Sequence, residues 1–178
     1  MKKTISSIVV FLLTIMFCAA MSTYALAEDG STTNNSTIDS TTVLSPDMEY
    51  RAEVLRLVNI ERANAGVAEL IEMKGLQPMA DIRAKESATS FSHTRPNGTR
   101  FCAIFKDYSI TYSYAGENLA YGFSTPERLV TAWMNSESHR SNLLNPNFTY
   151  SSVGYYKNAN GRIYCSLLFY TPRTVNNQ

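Results

Sequence analysis

The chain has 178 residues, of which 44% are hydrophobic, 11% aromatic and 17% charged, with 16 Lys+Arg against 15 Asp+Glu for a net charge of +1. That is the make-up of a folded soluble domain, not of a disordered or collagen-like chain. The even charge balance leaves no basic stripe for nucleic acid, and no second apolar run is long enough to span a bilayer, which excludes a multi-pass membrane protein. The length fits one domain with a tail, large enough to fold without many covalent staples.

Residues 1–27 read as a Sec-type signal peptide. Lys2 and Lys3 form a positive start, an apolar stretch runs from Ile8 to Ala20, and Ala25-Leu26-Ala27 supplies the small residues of a cleavage site. The alternative is an N-terminal membrane anchor, against which the short apolar core argues. Phe17 before Cys18 argues against a lipoprotein signal. Cleavage after Ala27 removes two lysines and no acid, leaving 151 residues of net charge −1. A secreted or cell-surface location is therefore expected, with no transmembrane span after cleavage. Any partner must be recognised locally rather than by a strong overall field. Cys18 leaves with the signal, so Cys102 and Cys165 remain. An even pair in an exported protein is a candidate disulfide, with two free buried thiols as the alternative.

Residues 28–47 read as a linker, because Glu28 to Leu44 is rich in Ser, Thr and Asn and too poor in large apolar residues to build a core. The domain spans 48–171, with a short tail at 172–178. Ser45-Pro46-Asp47 is a helix start, and the helix should run through Val54, Leu55, Leu57, Val58 and Ile60 to a stop at Gly66. Val67 to Met73 reads as extended. Pro78 opens a second helix through Met79, Ile82, Ala84, Ala88 and Phe91, followed by a loop with Pro96-Asn97-Gly98 as its turn. Thr125-Pro126-Glu127 opens a third helix to Trp133. Ser151–Tyr156 and Arg162–Thr171 read as strands joined by a hairpin turn at Asn158-Ala159-Asn160-Gly161. Helices first and a hairpin last, with no βαβ rhythm, predict an α+β fold with helices around a central antiparallel sheet.

The chain has only two histidines, His93 and His139, both beside helix ends in polar sequence, and Glu117 stands between them in Gly116-Glu117-Asn118-Leu119-Ala120. Two imidazoles and a carboxylate suit zinc or another divalent cation with a position left open for water or substrate. The spacing matches no local helical metal motif. The bland alternative is three separate residues that hydrogen-bond locally. A third reading is hydrolysis by Ser136 or Ser138 with His139 and Glu117, although no Gly-x-Ser-x-Gly elbow is present.

In this order the pieces resemble the CAP superfamily, also called the SCP domain family, in its bacterial branch. The elements are Val58-Asn59 with Glu61-Arg62, Phe91-Ser92-His93-Thr94-Arg95-Pro96-Asn97-Gly98, Gly116-Glu117-Asn118-Leu119-Ala120, Trp133-Met134-Asn135-Ser136 with His139-Arg140-Ser141-Asn142-Leu143-Leu144, then Val153-Gly154-Tyr155-Tyr156 and Leu167-Leu168-Phe169. The resemblance covers about residues 48–171. It implies an α-β-α sandwich with a central antiparallel sheet and a large cleft lined by two histidines and two glutamates. His93, His139 and Glu117 match three of the four positions. Many eukaryotic members carry the second glutamate three residues after the tryptophan, where this chain has Ser136. Glu137 does not simply replace it, because one residue along a helix turns a side chain by about 100°.

The expected site is therefore His93, Glu117 and His139 as metal ligands and as candidate catalytic residues, with Ser136, Asn118 and Arg95 as cleft residues. The favoured function is an extracellular binding module for a lipid, glycan, peptide or surface component. A metal-assisted peptidase and a structural envelope or spore-surface role are the alternatives. Trp133 is assigned to the core or cleft wall. Arg95 and Arg140 are either anion contacts or solvated arginines, and Tyr108, Tyr112, Tyr114 and Tyr121 either line a groove or are half-buried structural residues.

Overall fold

The computed structural model describes residues 44–174. The expected signal peptide, most of the expected linker and the last four residues of the tail lie outside the described residues.

Helix α1 spans Pro46–Asn64 and buries Tyr50, Val54, Val58 and Arg62 along one stripe, a three-to-four-residue repeat that points one face at the sheet. Its proline occupies the first helical position, where no N–H is needed, two residues inside the expected linker. A short strand β1, Ile71–Glu72, and a turn of 3-10 helix at Lys74–Leu76 lead into helix α2, Gln77–Thr89. After a long loop come helix α3, Ala103–Asp107, and strand β2, Tyr112–Tyr121. Helices α4, Pro126–Met134, and α5, Glu137–Leu143, precede the closing hairpin of β3, Tyr150–Lys157, and β4, Ile163–Pro172.

The four strands lie in the order β1-β3-β4-β2. β3–β4 and β4–β2 are antiparallel, as expected, while β1 pairs parallel to β3. The parallel pairing is open to β1 because the whole of α2 to α5 separates it from β3, ample length for a crossover. Side chains alternate across β4, so Cys165, Leu167 and Phe169 face one layer and Leu168 and Tyr170 the other. The first layer is α1, α4 and α5, whose Val54, Val58, Leu129, Trp133 and Leu143 close one core. The second is α2 and α3, whose Met79, Ala80, Ile104 and Phe105 close another. This is the expected α-β-α sandwich. Among the described residues no helix is long and apolar enough to cross a membrane.

Three elements escaped the sequence reading. β2 was missed because Glu117 and Asn118, both buried, break any apolar/polar alternation, and helices α3 and α5 are too short for a periodic signature.

The two layers also correct the disulfide. Cys102 and Cys165 are both free. Cys165 points into the α1 layer and Cys102 packs against the α2 layer, so the sheet stands between the sulfurs. Sequence adjacency to a turn and a strand carried no information about which face each thiol would take.

One contact sets the position of α2. A side chain at Gly154 on β3 would place its Cβ 2.0 Å from the Ala80 carbonyl oxygen, so only glycine lets α2 lie this close. Ser166 on β4 donates to the same carbonyl at 2.7 Å. The seating of α2 matters because α2 carries Arg83 toward β2.

Candidate functional site

β2 is an outer strand, and a cleft opens along its free edge. One wall is the loop that returns from α2. It is closed by a bridge between Thr94 and Arg100, and the His93 carbonyl accepts from the Phe101 N–H at 2.8 Å. The other wall is Asn142, in the last turn of α5. Between them lies an open cavity of about 340 Å³ lined by His93, Thr94, Arg100, Phe101, Glu117 and Asn142, with Ala115 and Gly116 of β2 as its floor. A larger cavity of about 480 Å³ at the start of α1, lined by Leu44, Met48, Arg51 and others, holds no histidine and is remote from this chemistry.

The Glu117 side chain is completely buried and faces α2. There Arg83, also completely buried, donates from Nε to Oε1 at 2.6 Å and from Nη2 to Oε2 at 3.1 Å. Arg83 further donates to the Ser92 carbonyl at 2.8 Å, tying the histidine loop to the same ion pair. The second carboxylate oxygen lies 2.8 Å from His93 Nδ1, whose ring is 58% exposed. A carboxylate only accepts, so Nδ1 carries a proton and donates to Glu117.

Behind this pair the network continues. Arg83 bonds Glu86, Glu86 accepts from Arg95, and Arg95 reaches Asp107 at 2.7 Å. Burial pushes the Glu86 carboxyl upward, but Arg95 and Arg83 outweigh it and hold the group below its ordinary 4.5. Burial likewise opposes the charge on Arg83, and Glu117 and Glu86 more than compensate.

On α5, beyond Asn142, His139 Nδ1 lies 2.8 Å from Ser136 Oγ at the helix start. Asn118, on the α5 face of β2, donates to the His139 carbonyl at 3.1 Å and accepts from Asn142 Nδ2 at 2.9 Å. The same Asn142 amide reaches the Glu117 carbonyl at 3.3 Å. Burial pushes the His139 imidazole below its ordinary 6.5, and the nearby charge of His93 adds to the shift. Both histidines thus engage Nδ1 in a hydrogen bond and are held from behind by buried polar groups.

His93, Glu117, Asn118, Ser136 and His139 are joined through Asn118 and Asn142, and of these five His93 and Glu117 line the cavity. Arg95 does not belong to the cleft, since its side chain is 8% exposed and its guanidinium is turned to Glu86 and Asp107. Trp133 is core, with its indole N–H donated to the Leu119 carbonyl. Arg140 bonds the Met134 carbonyl on the surface. The sequence reading missed Arg83, Arg100, Phe101 and Asn142. Arg83 had one local signal, a cation on the stripe of Met79, Ala80, Ala84 and Ser87 that α2 buries.

A metal ion bound by the expected three ligands would need a free Glu117 oxygen. Both oxygens are committed to Arg83 and His93, and among the described residues no three His, Cys, Asp or Glu side chains are gathered as a cation site. Outside Glu117, the nitrogen donors of the expected set are the imidazoles of His93 and His139.

A family model described as the cysteine-rich secretory protein family, CAP, matches residues 55–169. The chain is 37% identical over 131 residues to the uncharacterized protein YkwD of Bacillus subtilis, covering 72% of this chain and 51% of that one. It is 31% identical over 107 residues to the membrane protein YlbC of the same organism, covering 57% and 30%. The chain therefore spans about half or less of these curated relatives. Among solved structures, it is similar to an extracellular protein containing an SCP domain from Bacillus anthracis, with TM-score 0.63 and 26% identity, covering 72% of this chain and 44% of that one. An outer surface protein of Borrelia burgdorferi shares the fold, with TM-score 0.60 and 23% identity over 67% of this chain and 90% of that one.

Proposed function

The chain belongs to the cysteine-rich secretory protein (CAP) family, and from that premise we propose that it is an extracellular binding module. Its cleft holds a divalent cation on His93 and His139 and uses that site to grip an extracellular ligand. The location outside the cell is supported by similarity to proteins titled extracellular and outer surface.

The observation that carries the reading is the shared arrangement of the two imidazoles. Each Nδ1 is bonded within the wall, His93 to Glu117 and His139 to Ser136, and each ring ligates through Nε2 in the tautomer whose Nδ1–H is the donor of that bond. Zinc takes neutral imidazole nitrogen well, and when bound it supplies a Lewis-acid point for an oxygen or nitrogen of the ligand. His139 is kept neutral by its lowered pKa, and Glu117 orients the His93 ring as a supporting partner rather than a ligand. Binding is favoured over hydrolysis because a hydrolase would need a carboxylate base beside the cation. The buried carboxylate here is spent on Arg83 and His93.

Zinc calorimetry of the purified protein tests this, beside His93→Ala/His139→Ala. Saturable binding by the wild type and none by the double variant is expected. Equal heats from both would place any zinc elsewhere and remove the proposal.

A further inference from the structure

Among the described residues β2 is bonded to β4 on one side only. In an antiparallel ladder successive residues turn their main-chain groups alternately toward the partner and away. Two side-chain bonds show which residues of β2 turn away. The Glu117 carbonyl accepts from Asn142 and the Leu119 carbonyl from Trp133, both outside the ladder. Residues 115, 117, 119 and 121 therefore present N–H and C=O to the free edge. α4 and α5 cap the carbonyls at 117 and 119. Before that point the edge is bare: among the described residues no loop or helix backbone group bonds the N–H or C=O of Ala115 or the N–H of Glu117. A register shift between Tyr112 and Tyr114 ends the regular edge at the other side.

This bare length is the floor of the cleft, since Ala115, Gly116 and Glu117 line the cavity. We propose that the cleft binds an extended peptide segment, which adds to the free edge of β2 at Ala115–Glu117 as a further strand between the histidine loop and α5.

Chemistry selects a peptide over the other ligands open to the cleft. Outward groups two residues apart repeat at about 7 Å, the repeat of another β-strand, and neither a glycan nor an acyl chain offers alternating donors and acceptors at that spacing. Folded proteins protect unused edges with lysine, proline or a covering element. β2, Tyr-Ser-Tyr-Ala-Gly-Glu-Asn-Leu-Ala-Tyr, has neither lysine nor proline, and its cover stops where the cavity begins. Arg100 at the mouth has no carboxylate within ion-pair distance among the described residues, whereas Glu117 is already neutralised by Arg83. The preferred segment therefore carries an acidic side chain or a free C-terminal carboxylate opposite Arg100. The inference rests on reading the cleft as a ligand site but needs no metal.

The test uses the full protein, ¹⁵N-labelled, once in EDTA and once with zinc. A library of fluorescein-labelled octapeptides, half of them acidic, is screened by anisotropy, with chitotetraose and phosphatidylglycerol vesicles run in parallel. The expected result is an acidic binder that moves the amide resonances of Ala115 and Glu117. N-methylating its alternate residues should weaken binding about tenfold or more in one register and leave the other register nearly unchanged, because only one set of amides faces β2. Ala115→Pro, which removes an outward N–H and no ladder bond, should weaken the same peptide similarly. If that variant misfolds, the N-methylated series on wild-type protein decides alone. The proposal is overturned if no peptide binds more tightly than about 1 mM, if both registers respond equally, or if the glycan or vesicle moves these amides instead. Peptide binding in EDTA supports it whatever zinc does, and zinc binding without peptide binding defeats it while leaving the metal site standing.

Discussion

The buried pair of Arg83 and Glu117 makes a quantitative claim about the site. Arg83→Met keeps most of the side-chain volume and removes the charge. Glu117 would then hold a completely buried carboxylate with only the His93 contact left, having lost bonds of 2.6 and 3.1 Å. Removing one partner of a buried pair costs about 3–5 kcal/mol, because the other charge is left uncompensated. Glu117→Gln is milder, since Arg83 still has Glu86 and the Ser92 carbonyl, and a cost of about 1–3 kcal/mol is expected. The double variant should lose clearly less than the sum, with a coupling of about 2 kcal/mol. Urea denaturation at pH 7 with common slopes measures all four corners of the cycle. The Arg83→Met Tm should fall by roughly 10 °C for a domain of this size. A single-variant loss under about 1 kcal/mol, or additivity within about 0.5 kcal/mol, would show that the pair is not an isolated buried charge couple and would refute the positioning of His93 through it.

Gly154→Ala must push α2 off the sheet, because the new Cβ would sit 2.0 Å from the Ala80 carbonyl oxygen, and a loss of at least about 2 kcal/mol is expected. Gly75→Ala meets its nearest neighbour only at 3.7 Å and should change stability by less than about 1 kcal/mol, so equal losses from the two would sink the argument. Alkylation and peptide mapping of the native protein should label Cys102 well before Cys165, whose thiol is buried and pushed up in pKa, and recovery of a Cys102–Cys165 linked peptide would contradict the two-layer placement. Glu86 has a folded pKa below its ordinary 4.5, so its contribution is complete above that pH and is lost as pH falls through the lower folded value. Glu86→Gln should therefore flatten the stability profile on the acid side, and a profile as steep as the wild type's between about pH 5 and 3 would assign the acid sensitivity to other groups.

Much of this protein is written in short stretches of chain. Helix starts at Ser45-Pro46 and Thr125-Pro126 were legible because a proline at the first helical turn, joined at Thr125 by a capping hydroxyl, depends only on neighbours; Ser45 itself makes no capping bond. The closing hairpin was legible for the same reason, since Asn158-Ala159-Asn160-Gly161 and the β-rich runs beside it are local signals. The two histidines and Glu117 could be named from their scarcity and setting, and their order along the chain pointed to the family.

What the histidines do with their neighbours was not written that way. Glu117 looked like a metal ligand until β2 turned it toward α2, where Arg83, 34 residues earlier, takes its carboxylate. Arg95 sits in the histidine loop by sequence, yet it turns away because Glu86 and Asp107 neutralise it on the far side. The cysteines look paired on paper and lie on opposite faces of the sheet. Each of these outcomes depends on strand order and on the face each residue takes. A shift of one residue in register exchanges the two faces of a strand. Local propensity therefore determined the helix starts, the hairpin and the identity of the polar residues. The packing of two helical layers on one sheet decided which of those residues would meet.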